Sequence, residues 1–253
     1  VTISQEQRER LEMDFWRDSE KERPGAQSLD AFTNKMSEGR VLLEKLRAFA
    51  SIFEEADTIL EVGGGQGWAA CMIARQFPHA TVFTSDIAED AVASLGEWER
   101  VFKVSLGGCF SSRSYEIPLR DGSVDLVVAF ASAHHFGRHR RTLMELRRVL
   151  TDQGCAIYLH EPACRNYIYR VALARVNKKR PVVREDLIRI RDIKKAAADC
   201  KLTATVIAAP TTTYRGAVET IYYFLLQKMR FLQKILPCSI DLLLQKGSPR
   251  GPA

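Results

Sequence analysis

His134 and His135 stand side by side in "AFASAHHF", directly after the apolar run Val124 to Phe130. Imidazole changes charge near neutral pH, so either ring could take a proton from a hydroxyl group. One of them could equally serve only to hold the loop. A second pair, His160-Glu161, follows the apolar run Cys155 to Leu159. Two more acids, Glu61 and Asp86, lie at the ends of apolar stretches. If these runs are strands of one parallel sheet, the histidines and acids share its carboxyl edge, where open α/β sheets bind ligands.

The elements that would position them are legible around residues 57–77, "DTILEVGGGQGWAACMIARQF". Thr58 to Val62 reads as a short buried strand. Trp68 to Phe77 reads as a helix with Ala69, Met72, Ile73 and Phe77 facing inward. Between them Gly63, Gly64, Gly65 and Gly67 leave a backbone that a ligand can approach closely. Strand, glycine turn and helix make the first unit of a nucleotide-binding α/β domain. A phosphate-gripping loop would end in Gly-Lys-Ser/Thr, whereas this one ends in Gly67-Trp68. The third glycine of the NAD fingerprint falls on Trp68, so that site would be a variant; a purely structural turn is the other alternative. Ala80 to Ser85 reads as a second strand ending in Asp86, 19 residues after Gly67. An acid there is placed to accept hydrogen bonds from ribose hydroxyls, or to cap the next helix.

Glu61-Val62-Gly63-Gly64-Gly65-Gln66-Gly67 resembles motif I of the class I S-adenosylmethionine-dependent methyltransferases, of the small-molecule, type 11-like kind. The likeness extends as an ordered set of landmarks from about residue 57 to 162. It includes a motif IV-like strand Val124–Phe130, the amphipathic helix carrying Leu143, Leu146, Val149 and Leu150, and the strand Cys155–Leu159. The resemblance implies S-adenosylmethionine as cofactor, held by Glu61, Gly63, Gly64, Gly65, Gln66, Gly67, Asp86, Ile87 and Phe130. It also implies N-terminal helices that cover the cofactor. Relatives often carry an acid four residues before a Leu-Pro pair, where it holds the adenine amino group. Counting back from Ile117-Pro118 puts Arg113 there, and a guanidinium cannot accept a hydrogen bond. Arg113 and Ser114 are kept as the adenine-side positions, with backbone, Ser112 or Ser114 supplying the acceptor. The Asn/Asp-Pro-Pro-Tyr of many amino-group methyltransferases is replaced by Phe130-Ala131-Ser132-Ala133, which disfavours that chemistry.

The 253 residues suit one α/β domain with additions, and 46% hydrophobic with 27% charged residues is a soluble globular composition. The expected fold is Rossmann-like α/β: a seven-stranded, mostly parallel sheet flanked by helices, with helical additions at both ends. Residues 1–56 form an N-terminal helical cap, 57–215 the cofactor-binding domain, and 216–253 C-terminal helices and a tail packed on it. In the cap, Leu11, Phe15 and Trp16 could form one stripe and Ala31 to Phe53 a longer one, with "ERPGAQS" between them as a hinge. Residues 218–246 read as two helices broken at Pro237, and Leu202 to Ala208 as a strand completing the sheet. No 18-residue apolar run occurs, the N-terminus carries no apolar signal segment, and six scattered cysteines show no C-x-x-C pair. These features predict a cytoplasmic protein with reduced thiols and no metal site.

Residues 163–195 carry eleven Lys or Arg against three acids, a surplus larger than the net charge of +6 of the whole chain. That run suits an anionic partner or simply a solvated face. The leading expectation is transfer of a methyl group to a small molecule, at an oxygen of an apolar or anionic metabolite. His134 or His135 would act as base, and Phe15, Trp16, His160 and Glu161 would line the substrate pocket. The alternatives are a tRNA-modifying enzyme of the wobble-uridine type, which the "HHF" loop resembles, and a non-catalytic methyltransferase-like subunit. The partners are thus a small molecule first and tRNA second. The apolar C-terminal run would also suit a membrane interface, and DNA is not expected.

Overall fold

A computed structural model of the chain describes residues 4–18, 29–179, 185–212 and 216–247. Helices α1 (Gln5–Asp18), α2 (Leu29–Ala48) and α3 (Ala50–Glu54) precede the sheet. One half of the sheet unit comprises β1 (Thr58–Val62), α4 (Trp68–Gln76), β2 (Thr81–Asp86), α5 (Glu89–Ala93), α6 (Leu95–Phe102) and β3 (Gly108–Ser111). The other begins with β4 (Val124–Phe130), α7 (His139–Val149) and β5 (Leu150–Cys164). It continues through α8 (Tyr169–Val176), β6 (Ile188–Arg189), α9 (Ile190–Asp199) and β7 (Leu202–Ala208). The last described elements are α10 (Ala217–Lys228), α11 (Arg230–Gln233) and β8 (Cys238–Lys246).

The strands lie in the order β3-β2-β1-β4-β5-β8-β7, with the two-residue β6 paired to β5. Strands β1 to β5 run parallel, and β8 runs antiparallel to both β5 and β7. This is the expected mostly parallel sheet. Both faces are covered, so central strands alternate between two cores rather than between core and water. Leu60, Val62, Val127 and Ala129 face one core with Leu143 and Leu146 of α7 and Ile193 of α9. Ile59, Leu126, Val128 and Phe130 face the other, with Leu42 and Leu46 of α2, Phe53 of α3 and Ile73 of α4.

Three expectations change. The segment after Pro237 is the strand β8, not a second helix. Its Ile240, Leu242 and Leu244 are buried in the middle of the sheet. A strand covered on both faces reads as a near-continuous apolar run, which periodicity does not separate from a buried helix. Leu150, expected on the helix, and residues 151–154, which separate it from the expected strand, belong to β5, although the β4–β5 register shifts between Val124 and Leu126. Helix α10 packs less than expected: Leu226 is buried, while Val218, Ile221 and Phe224 are exposed. The "ERPGAQS" hinge, Arg180, Arg184 and most of the "GSPRGPA" tail lie outside the described residues.

One buried ion pair ties α2 to β8. Lys45 Nζ donates to Asp241 Oδ2 at 2.6 Å, and Asp241 Oδ1 accepts the His160 amide at 3.0 Å. Both side chains are almost wholly buried.

Candidate cofactor and acceptor site

Strand β1 has β2 on one side and β4 on the other, so the chain reverses direction of sheet growth between β1 and β4. A crevice forms at the carboxyl ends of the strands at such a point. Three segments meet there: the glycine loop after β1, Asp86 at the end of β2, and the histidine loop after β4. Together with α1 they enclose a cavity of about 790 Å³.

The glycine loop is held from below by two acids. Glu61 is buried, and its Oε2 accepts from the Ala70 amide at 3.2 Å and from Thr84 Oγ1 at 2.9 Å. Burial pushes its carboxyl up to about 7, against the pull of those two donors. Gly64 is required by this arrangement, because a Cβ there would stand 2.4 Å from Glu61 Oε2 and 2.3 Å from Thr84 Oγ1. Asp86 Oδ2 accepts the Gly65 amide at 2.8 Å and Oδ1 the Ala88 amide at 2.9 Å. Burial raises the Asp86 carboxyl too, while those amides lower it. The Asp86 carboxylate retains acceptor capacity for a further donor. Gly65 has φ of 55°, in the left-handed region, and Trp16 of α1 lies against it. Gln66 is buried beneath the loop, its Oε1 accepting from Trp98 Nε1 at 3.2 Å. Ile87, Phe130, Phe15 and Trp16 all line the cavity, and the Phe15 and Trp16 rings meet edge-to-face.

On the far side of Asp86 the segment after β3 supplies Ser112, Arg113, Ser114 and Tyr115 to the wall. Arg113 is turned to acids: Nε donates to Glu9 Oε2 at 3.0 Å, and a terminal nitrogen donates to Glu116. Tyr115 donates to the other Glu9 oxygen at 2.8 Å. Ser114 Oγ is paired with Thr142 Oγ1 at 2.8 Å. Ser112 Oγ is different: it is buried and has no hydrogen-bond partner. An orphaned hydroxyl in the wall beside Asp86 fits a nucleoside-bearing ligand.

The histidine loop is organised by Glu161. This fully buried carboxylate accepts the amides of Ser132 and Ala133 at 2.9 Å each and of His134 at 3.0 Å. It also accepts His134 Nδ1 at 2.8 Å. Burial pushes the Glu161 carboxyl up, but His134 and these amides outweigh it and hold it below the usual range. His134 Nε2 lies 2.7 Å from Glu185 Oε2, so both ring nitrogens face carboxylates. The His135 ring lies against His134, tilted by 42° with centroids 4.1 Å apart, and is 3.7 Å from Glu12 and 3.5 Å from Glu185.

His160 and Glu161, expected in the pocket, do not line it. Glu161 sits behind the loop as its anchor, and the His160 ring stacks on Phe130 at 6.0 Å. Sequence reasoning missed Glu12 and Glu185. Glu12 shares a helical face with Phe15 and Trp16 at spacings of three and four, which was a usable signal. Burial, with the Asp86 charge adding, lifts the Glu12 carboxyl to about 7. Glu185 stands in a strongly basic run with Asp186, and only the fold brings it to the histidines.

A family model described as a methyltransferase domain matches residues 60–158. Over 135 residues the chain is 32% identical to malonyl-[acyl-carrier protein] O-methyltransferase of Geobacter sulfurreducens. Residues 60–158 thus match a methyltransferase-domain family, and the fold is that of class I methyltransferases. The alignment takes in 51% of this chain and 47% of the Geobacter protein, so the chain spans about half the length of that relative. Among solved structures, geranyl diphosphate C-methyltransferase of Streptomyces coelicolor superposes with a TM-score of 0.65 at 13% identity. That superposition covers 82% of this chain and 80% of the other, which was solved with Mg2+, geranyl diphosphate and S-adenosyl-L-homocysteine. The PH0226 protein of Pyrococcus horikoshii gives 0.61 at 14% identity, over 92% and 99%. At these identities the likeness concerns the fold. The family-model match thus begins inside β1 and ends inside β5, and α1, Glu161 and Glu185 lie outside the matched residues.

Proposed function

We propose that the protein transfers a methyl group from S-adenosylmethionine to an oxygen of a small-molecule acceptor. The observation that carries this reading is a single cavity joining the Gly63–Gln66 loop, Asp86 and the unpartnered Ser112 hydroxyl to a histidine–carboxylate cluster. The cofactor supplies an activated methyl carbon. The chain must align the acceptor, exclude water and take a proton. Asp86 offers its remaining lone pairs to ribose hydroxyls, and Ser112 a hydroxyl to the adenine edge. Trp16, Phe15 and Phe130 close the walls against solvent. His135 and Glu12, adjacent on the cavity wall, receive the acceptor proton. His134, held at both nitrogens, fixes the loop that presents His135.

The oxygen assignment is supported by those proton acceptors and by a relative whose name specifies O-methylation. The cavity is lined by Glu9, Glu12, Glu38, Glu61, Asp86, Glu185 and Asp186 against Arg8, Lys35 and Arg113. That balance favours a neutral, largely apolar hydroxyl compound over an anion. Calorimetry with S-adenosylmethionine tests the cofactor. Incubation with methyl-labelled cofactor and a metabolite extract, then product analysis, tests the acceptor. A methylated nitrogen or carbon would remove the oxygen assignment, and label in tRNA would replace the small molecule.

A further inference from the structure

Glu161 fixes the state of His134. With three backbone amides already donating to this carboxylate, the hydrogen on His134 Nδ1 is directed at Glu161. In the neutral ring Nε2 then carries a lone pair, yet it faces Glu185 Oε2 at 2.7 Å. Two lone pairs at that distance require a positive centre shared between them. His135 Nε2 approaches the same carboxylate oxygen at 3.5 Å. The three residues offer donor atoms that all lie within 4.8 Å of one another.

We propose that His134 Nε2, His135 Nε2 and a Glu185 oxygen form a binding site for one divalent first-row transition-metal ion. Ligand bonds of about 2.0–2.2 Å place neighbouring donor atoms about 3 to 3.5 Å apart. The His135–Glu185 separation already meets this, and the His134–Glu185 pair needs to open only slightly. Glu161 supplies the outer carboxylate that orients a metal-bound imidazole, the arrangement that fixes tautomer and ring direction at such centres. Two imidazoles with one carboxylate select zinc, cobalt, iron or nickel over magnesium and calcium, which prefer all-oxygen shells. Three protein ligands leave coordination positions open, and all three residues border the cavity. The ion also offsets the charge of Glu12 and Glu185, which both approach His135. With the ion bound, His135 Nε2 is occupied and Glu12 is left as the proton acceptor. The open positions would take an oxygen donor of the acceptor, a role that rests on the methyltransferase reading, whereas the binding site itself does not.

The test uses untagged full chain stripped with a chelator, then titrated with Co2+ by calorimetry and visible absorption, without cofactor. One equivalent per chain with d–d bands is expected. His135→Ala and Glu185→Gln should each weaken binding at least tenfold, and Glu161→Gln by about 10- to 100-fold. Circular dichroism checks that each variant folds; His135 is half-buried at the cavity wall, so its variant serves even if Glu161→Gln misfolds. Absence of saturable Co2+ binding, or affinity unchanged in both His135→Ala and Glu185→Gln, would overturn the site and leave a proton as the shared positive centre. Calorimetry with S-adenosylmethionine on the same samples separates the two proposals. Cobalt without cofactor binding defeats the methyltransferase reading alone, and cofactor without cobalt defeats the metal site alone.

Discussion

The Trp16 ring lies against Gly65: a Cβ on that glycine would stand 2.9 Å from the nearest ring carbon. Helix α1 is thereby seated on the loop that would carry the cofactor, and Gly65 is confined both by its positive φ and by an indole. Gly65→Val should drive α1 off the cradle and strain the turn, at a cost of about 1–3 kcal/mol. S-adenosylmethionine affinity should fall at least a hundredfold while the far-ultraviolet circular dichroism stays close to wild type. Retained affinity would show that the ligand does not use this loop.

Asp86 supports the same loop from the other side, through the Gly65 and Ala88 amides. Asp86→Ala should weaken cofactor binding by about 1 to 3 kcal/mol, the range for hydrogen bonds to a charged partner. NAD should not bind wild-type protein, since Trp68 replaces the third glycine of its fingerprint. Calorimetric detection of NAD binding, or an Asp86 variant with unaltered affinity, would contradict the assignment.

Glu61 gives the stability a pH dependence of defined sign. Its folded carboxyl stands at about 7 against an ordinary 4.5. Between those values the native chain binds more protons than the unfolded one. The associated stability is therefore complete below about 4.5 and lost as pH rises through 7. The loss is on the order of 3 kcal/mol. Relative to wild type, Glu61→Gln should gain stability in urea at pH 8 compared with pH 5. Glu12 titrates in the same window, so some slope remains in the single variant. An identical difference between variant and wild type at both pH values would show that Glu61 is not buried as described.

Lys45 and Asp241 link α2 to the central antiparallel strand. Removing one partner leaves the other charge buried, so Lys45→Met should cost about 3–5 kcal/mol in denaturant unfolding. Adding Asp241→Asn should recover part of that loss while keeping an acceptor for the His160 amide. A cost below 1 kcal/mol would place the pair in solvent.

The parallel half of the sheet was legible because each strand is announced locally: an apolar run, then glycine, acid or histidine at its carboxyl end. The same signals located the glycine loop, Asp86 and the His134–His135 loop. Gly63 to Gln66, Asp86 and both histidines reach one cavity, whereas Gly67 packs behind it against Leu95 and Thr84. What sequence did not reveal depends on distant partners. Strand β8 hides between β5 and β7, where burial on both faces erases alternation. Glu161 lies one residue from His160 and reads as a pocket acid, but its four donors come from a loop 27 to 29 residues earlier. Glu185 meets the histidines across 51 residues of sequence, a distance no local pattern encodes.

Proton transfer is the remaining prediction, and the geometry divides it between neighbours. His134 Nδ1 and Nε2 both face carboxylates, so its removal should act first on the loop. His134→Ala should destabilise the fold by about 1–3 kcal/mol, because buried Glu161 loses a donor. His135 and Glu12 border the cavity 3.7 Å apart. With a hydroxyl acceptor, His135→Ala should lower kcat by about 10² to 10⁴, the usual contribution of a positioned base. Cofactor affinity should hardly change. Because the Glu12 carboxyl stands at about 7, kcat/KM should rise with pH through that value and level off above it. Glu12→Gln should remove this limb of the profile. An acceptor already ionised would behave otherwise: both variants would mainly raise KM and the profile would stay flat. Wild-type rates in His135→Ala, in Glu12→Gln and in the double variant would take both groups out of the mechanism and leave alignment in the cavity as the source of catalysis.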